Sequence, residues 1–509
     1  MERMLSRILL AATAAALILP AAASAEDICV GDPAGCSGDR FPAEELAAAL
    51  FAAEHNGTAD RVVLGRLDEE IPPITYSSAE PLEVAGAGAD ATVLRFKQPG
   101  HALDLASEAV RLSGFTVRLS DEAEVGLTLD GATAEDVAVE AAGAPDLAAA
   151  VVLQGGGSLL GSRVTLDSGN AAIVVAGGRG TVADTTVDFP AGLGIVSAGT
   201  ELSVARSHVH ARGGVIAARG HAVVADSLID LRGVEEQGIG VGVSDGLGIS
   251  GTHIEMDAER LTIVGDQPAS ADFAGVAAAA TKDPTEVEVH VRDSVITGLG
   301  APLVRAANDG VAHIDADNTA HPDAVDGALD EGVGEIDETG RIAGAPLLDA
   351  ALRPRAGSPL IDAARATSEA RDAAGAARVV DGDGDCAAKG DVGAFELQAA
   401  PNPACAPKPQ PGPPAGEPAP APDAAPVLRR LRVRHREVRF RLSEAATVKL
   451  RLRGHGRARR VKVAAAVGRQ RVRLPRAVRG HPGRYKVRAV AIDAAGQRSA
   501  PRIRRFRIR

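Results

Sequence analysis

The stretch GGVIAARGHAVVADSLIDLR (213–232) is one line of a text that the chain writes several times over. Aligned copies are VVLQGGGSLLGSRVTLD, IVVAGGRGTVADTTVDF, IVSAGTELSVARSHVHA, VIAARGHAVVADSLIDL and VGVSDGLGISGTHIEM. Each reads as an apolar strand, a glycine-containing turn and a second strand in period-2 alternation. With the second strand anchored at Val164, Val187, Val209, Ile229 and Ile254, counting back 13 residues reaches Val151, Val174, Val196, Ile216 and Val241. The return connection varies, so the anchors recur at 23, 22, 20 and 25 residues. One fixed turn and one free turn describe a coil of β-strands. A single coil has almost no interior. Stacking coils at about 4.8 Å pairs each strand with the next and closes a continuous core.

FTVRL (115–119) and DVAVE (136–140) read as earlier copies, and DSVITGL puts Ile296 in the anchor slot. The 42 residues from Ile254 to Ile296 read as two coils, with ERLTIVGDQPASADF (259–273) protruding. Two residues before the anchors stand Ser162, Thr185, Ser207, Ser227, Thr252 and Ser294, a stacked hydroxyl ladder that can satisfy corner backbone. An open solenoid end would pair with other molecules. FPAEELAAALFAAEHNG supplies a cap: Pro42 opens a helix, Glu44 and Glu45 favour its dipole, and Gly57 terminates it. With aromatics at 2%, such a core is built from Val, Ile, Leu and Ala.

The coil pattern, the helical start and an export signal resemble right-handed parallel β-helix proteins, the pectate-lyase-like group in the broad sense. Residues 352–396 resemble the closing segment of exported β-helix proteins, of the choice-of-anchor type. The matching residues are Gly357, Ser358, Pro359, Ile361, Asp362, Asp372, Gly375, Arg378, Asp391, Val392, Gly393, Ala394, Phe395 and Glu396, with Ala364 where the pattern has glycine. The resemblance implies an architecture and no particular activity. The expected fold is all-β: a β-helix over 26–339 with its N-terminal capping helix, a closing segment at 340–398, and a small β-sandwich.

Export is read at the N-terminus. Arg3 and Arg7 precede an apolar run that Pro20 interrupts, and Ala23-Ser24-Ala25 makes a small-x-small cleavage site, so residues 1–25 are expected to be a signal peptide. Four cysteines in an exported chain favour two disulfides, and the sequence-local pairs Cys29 with Cys36 and Cys386 with Cys405 are preferred. Residues 399–426 form a Pro-rich spacer. The tail, 427–509, alternates with period 2 over six or seven short strands and resembles an immunoglobulin-like or fibronectin-like module. It holds 28 Lys and Arg against 3 Asp and Glu, while the remainder holds 27 against 64. An acidic body therefore carries a strongly basic module. The expected partner is a polysaccharide or an anionic envelope polymer; no nucleic acid is expected, and a secreted or surface-held monomer fits.

Chemistry is thinner. The slot after each anchor holds Thr165, Asp188, His210, Asp230 and Glu255, and the slot before holds Arg163, Thr186, His208, Leu228 and His253. If the protein is an enzyme, Asp188, His210, Asp230 and Glu255 are its candidates, because paired carboxylates carry acid–base work on glycosidic bonds. The lyase and glycosidase signatures of the resembling group are missing, which favours a non-catalytic binding module over a carbohydrate-active enzyme. DGDGD supplies Asp381, Asp383 and Asp385, with Asp391 following, an oxygen-rich set suited to Ca²⁺; Val392 stands where an EF-hand needs Glu.

Overall fold

Each coil of the solenoid is made of three short strands. In the computed structural model, which describes residues 26–400, 402–405 and 426–508 except 248–252, 283, 323–332, 366–368, 435–436, 455–456, 475–482 and 494–496, these strands stack in parallel into about 11 turns. Strands such as Gly157–Leu160, Arg179–Ala183, Glu201–Ala205 and Gly220–Ala225 build a 14-stranded first face. The second and third faces join in one 18-stranded sheet, because Thr186–Ser197 and His208–Ala217 run through the corner between them.

The anchor column is real and lies on the second face. Val139, Val164, Val187, Val209 and Ile229 pair in sequence, each 0% exposed. Ile263 follows Ile229 in that column, and Ile296 follows Ile263. Ile254 is not in it: it belongs to the first face, opposite Gly220. The segment expected to protrude instead supplies the second-face strand Thr262–Gln267, so a single coil separates Ile263 from Ile296. The count back of 13 residues is also off by one in the middle coils. Ile173, Ile195 and Val215 are the fully buried third-face residues, in register with Val151 and Val241, whereas Val174, Val196 and Ile216 point the other way. A slip of one residue inverts the side, as the pleat requires.

What was read as one second strand is two, split by a left-handed residue. Asp136, Asp184, Arg206, Asp226, Arg260, Asp293 and Asn318 form a column with φ between 46° and 53°. Such a residue breaks the strand and turns the chain from the first face to the second; Asp and Asn tolerate it best. The two arginines are held by bidentate ion pairs, Arg206 with Asp184 (2.8 and 2.7 Å) and Arg260 with Asp226 (2.9 and 3.0 Å).

The hydroxyl ladder stands directly after this column. Ser162, Thr185, Ser207 and Ser227 each donate to the carbonyl two residues back and accept an amide from the preceding rung. Leu261 interrupts the ladder, and Ser294 resumes it by accepting the Leu261 amide at 3.0 Å. Thr252 lies outside the described residues, and the ladder slot of that coil belongs to Leu261.

The first coil is covered by the helix Leu46–His55, which buries Leu46, Ala49, Leu50 and Ala53. It ends at Gly57, whose φ of 71° suits a residue without a side chain. Both local disulfides are present, Cys29–Cys36 and Cys386–Cys405. Residues 1–25 lie outside the described residues, and no described helix is long and apolar enough to cross a membrane.

After the first-face strand Ile336–Thr339, the chain turns back along the flank. The described residues of 343–398 lie over the outward side of the second face, where Leu228, Val264 and Val295 would otherwise meet water. Gly393 sits where a Cβ would come within 2.9 Å of Val295 and 3.0 Å of Thr262, and the Ala394 amide donates to Thr262 Oγ1 at 2.9 Å.

The chain divides after Ala406 into a second compact unit. Its antiparallel sheets, one of three strands and one of four, enclose Leu428, Val438, Phe440, Val448, Leu450, Leu452, Val487 and Ala489, which fits a small β-sandwich.

Candidate functional site

Three of the four proposed catalytic residues form the expected stripe. Asp188, His210 and Asp230 pair directly on adjacent rungs of the second face, followed by Val264. Glu255 is elsewhere: it stands on the first face between His221 and Glu288. His210 is held at both ring nitrogens, Nδ1 2.8 Å from Asp188 Oδ1 and Nε2 2.9 Å from the Arg232 carbonyl. Asp230 is sealed by its own neighbour: the Arg232 amide, Nε and Nη2 approach its oxygens at 3.0, 2.9 and 2.6 Å. Burial pushes its pKa up, but the Arg232 hydrogen bonds and the nearby His208 outweigh burial and hold the carboxyl well below the usual range. A general acid needs the opposite shift.

The acidic residues of the closing segment act as backbone acceptors. Asp362 takes the amides of Gly382, Asp383 and Lys389; Asp372 takes those of Ala374, Ala376 and Glu396. Asp391, fully buried, takes those of Asp362 and Leu397. Burial raises its pKa. Arg378 is also fully buried, which lowers its pKa; its Nη2 donates to the Gly393 carbonyl at 2.6 Å and lies 3.4 Å from Asp226. The DGDGD set therefore regroups. Asp381 and Asp383 converge with Asp362, each offering an oxygen within 4.8 Å of the others, while Asp385 binds the Ala387 amide and Asp391 belongs to the buried network. Asp362, Asp381 and Asp383 are the oxygens that can hold Ca²⁺ here.

The sequence reading missed a second donor set on the first face. The strands His253–Glu259, Glu286–Arg292 and Val311–Asp317 turn their polar slots to one side. There His221, Glu255 and Asp257 offer atoms within 4.8 Å of one another, as do Glu288, His290 and Asp315. His290 directs Nδ1 to Asp315 (2.9 Å), leaving Nε2 3.7 Å from Glu255 and 3.6 Å from Glu288. An imidazole oriented by one carboxylate beside others suits a divalent metal. The signal lay in HIEMDAE, EVEVHVR and VAHIDAD, whose alternate positions are almost all Asp, Glu, His or Arg.

A groove opens on the third face. Its floor is Leu193, Ile216, Ile239 and Phe273, from successive rungs, and its volume is about 810 Å³. The rim is polar: Glu235, Glu236 and Gln237 from the connection after Leu228–Asp230, Gln267 from the end of Thr262–Gln267, and Ser270 and Asp272 from the connection that follows it. Arg212 also lines the groove, paired with Glu236 at 2.9 Å. An apolar floor between hydrogen-bonding walls is the usual make-up of a ligand cleft, and the volume falls in the usual range. Ile239, 37% exposed, lies open to an occupant. The parallel β-solenoid supports, in general terms, a carbohydrate-related or surface protein. Comparison with protein-family models and with curated proteins found no match.

Proposed function

We propose that the chain is an exported, non-catalytic β-helix of the pectate-lyase-like kind that binds polysaccharide through the third-face groove, with its closing segment of the choice-of-anchor type and its C-terminal immunoglobulin-like module as the tether to an anionic envelope polymer. The observation that carries this reading is the groove. Leu193, Ile216, Ile239 and Phe273 offer an apolar floor for the CH faces of sugar rings, and the flanking Glu, Gln, Ser and Asp side chains offer partners for hydroxyls. The sealed Asp230 and the doubly held His210 favour binding over catalysis in the stripe.

Purified protein titrated against a polysaccharide panel by calorimetry tests this. Ile239→Glu, at a half-open position, is expected to lower affinity for the bound glycan at least tenfold while leaving the melting midpoint in place. Binding unaffected by Ile239→Glu refutes the groove. Release of new reducing or unsaturated ends, lost in Asp230→Ala, refutes the non-catalytic reading in favour of the enzyme.

A further inference from the structure

The four-stranded sheet of the second unit has an outward face made of cations in register. Lys449, Arg451 and Arg453 alternate along Ala446–Gly454 with the buried Val448, Leu450 and Leu452. On Gly483–Ile492 the same alternation exposes Arg484, Lys486 and Arg488. The pairing then sets like against like: Lys449 opposite Lys462, Arg451 opposite Arg488, Arg453 opposite Lys486, Lys486 opposite Arg505, and Arg484 opposite Arg507. Directly opposed like charges destabilise a sheet. Of the unit's three carboxylates, Glu437 pairs with Arg439 on the other sheet, Glu444 lies in the turn before Ala446, and Asp493 accepts the Gln497 amide beyond the strand end. Two depressions indent this face, about 490 Å³ bounded by Lys449, Arg451, Lys462 and Arg488, and about 550 Å³ bounded by Arg453, Lys486, Arg505 and Arg507.

We infer that this face is the docking surface for a linear polysaccharide bearing one carboxylate or phosphate per repeat, the two depressions seating successive anionic groups. The inference rests on the tether reading above and assigns it to one sheet. Neighbouring cations stand about 4.8 Å apart across strands and about 6.8 Å apart along them. An extended polyanion lying across the sheet meets a cation at each step of that lattice, and guanidinium forks take carboxylate and phosphate oxygens in pairs. Nucleic acid fits less well. Single strands are held by exposed aromatic platforms; Tyr485 and Phe506 line the second depression but stack on each other, centroids 5.6 Å apart, and Tyr485 is buried.

The full-length protein is tested for retention on immobilised polygalacturonate, on a phosphodiester-linked glycan, and on single- and double-stranded DNA, each at a series of salt concentrations. Arg453→Gln, Lys486→Gln and Arg505→Gln together remove three exposed cations from this face. Arg469→Gln, Arg471→Gln and Arg473→Gln remove three from the opposite sheet and serve as the charge-matched control. Neither triple touches the core, and circular dichroism checks both. The first triple is expected to lose at least tenfold in glycan affinity and to flatten the salt dependence, the second to lose less than threefold. Equal losses overturn the assignment to this face while leaving the tether reading standing. No retention on any polyanion at low salt overturns the tether reading itself. Tighter binding to DNA than to both glycans at matched salt overturns the ligand class. The two glycan arms separate carboxylate from phosphate.

Discussion

Ser207→Ala isolates what one rung of the hydroxyl ladder contributes. The Ser207 hydroxyl donates to the Ala205 carbonyl at 2.9 Å and accepts the Thr185 amide at 3.3 Å; Ser207 and Thr185 are each 1% exposed. The Ala205 carbonyl keeps a partner in the variant, because it also accepts the Asp184 amide at 3.0 Å. The Thr185 amide does not. One buried donor is orphaned with almost no change in packing, which costs about 2 kcal/mol, or roughly a 30-fold rise in the local opening equilibrium. Urea unfolding is expected to report the loss, and hydrogen exchange at the Thr185 amide to accelerate by the same factor. Ser158→Ala, a partly exposed first-face serine, is the reference and is expected to stay within about 0.5 kcal/mol of the parent. If Ser207→Ala matches Ser158→Ala and Thr185 exchange does not change, the ladder is decoration and the argument for its column fails.

Two further predictions concern the flank. Asp226→Ala removes the bidentate partner of Arg260, which keeps only Glu259, and the carboxylate 3.4 Å from the fully buried Arg378, and is expected to cost about 3–5 kcal/mol in chemical denaturation. Burial, with Asp391 beside it, raises Glu396 from 4.5 to about 8. The folded state therefore keeps a proton that the unfolded chain releases. The stability this group contributes is fully present below about pH 4.5 and is lost as pH rises towards 8, at a slope of at most about 1.4 kcal/mol per pH unit. Glu396→Gln is expected to flatten the pH profile of unfolding in that window; an unchanged slope refutes the assignment.

The solenoid was legible because its core obeys a strict rule. Val164, Val187, Val209 and Ile229 recur in one buried slot, and Ser162, Thr185, Ser207 and Ser227 sit two residues before them. What period 2 cannot say is which of three sheets a strand joins. HIEMDAE satisfies the alternation as well as LTIVGDQ does, so Ile254 took the place of Ile263, and Glu255 entered a stripe on the wrong face. The first-face set of His221, Glu255, Asp257, Glu288, His290 and Asp315 was lost by the same error. The left-handed column was hidden because it contains Arg206 and Arg260, residue types that seldom adopt that conformation. The groove was beyond sequence reasoning, since its rim comes mostly from connections whose lengths follow no repeat.

The flank-lying segment also decides how the molecule carries load. A pull arriving from the C-terminal unit reaches the body near Cys405, which is bonded to Cys386 and so to a segment bound sideways to several rungs. Tension applied there loads the contacts that this segment makes with several rungs together. The terminal turn is bypassed, so a pull entering at Cys405 does not unwind the spiral loop by loop from its loose end.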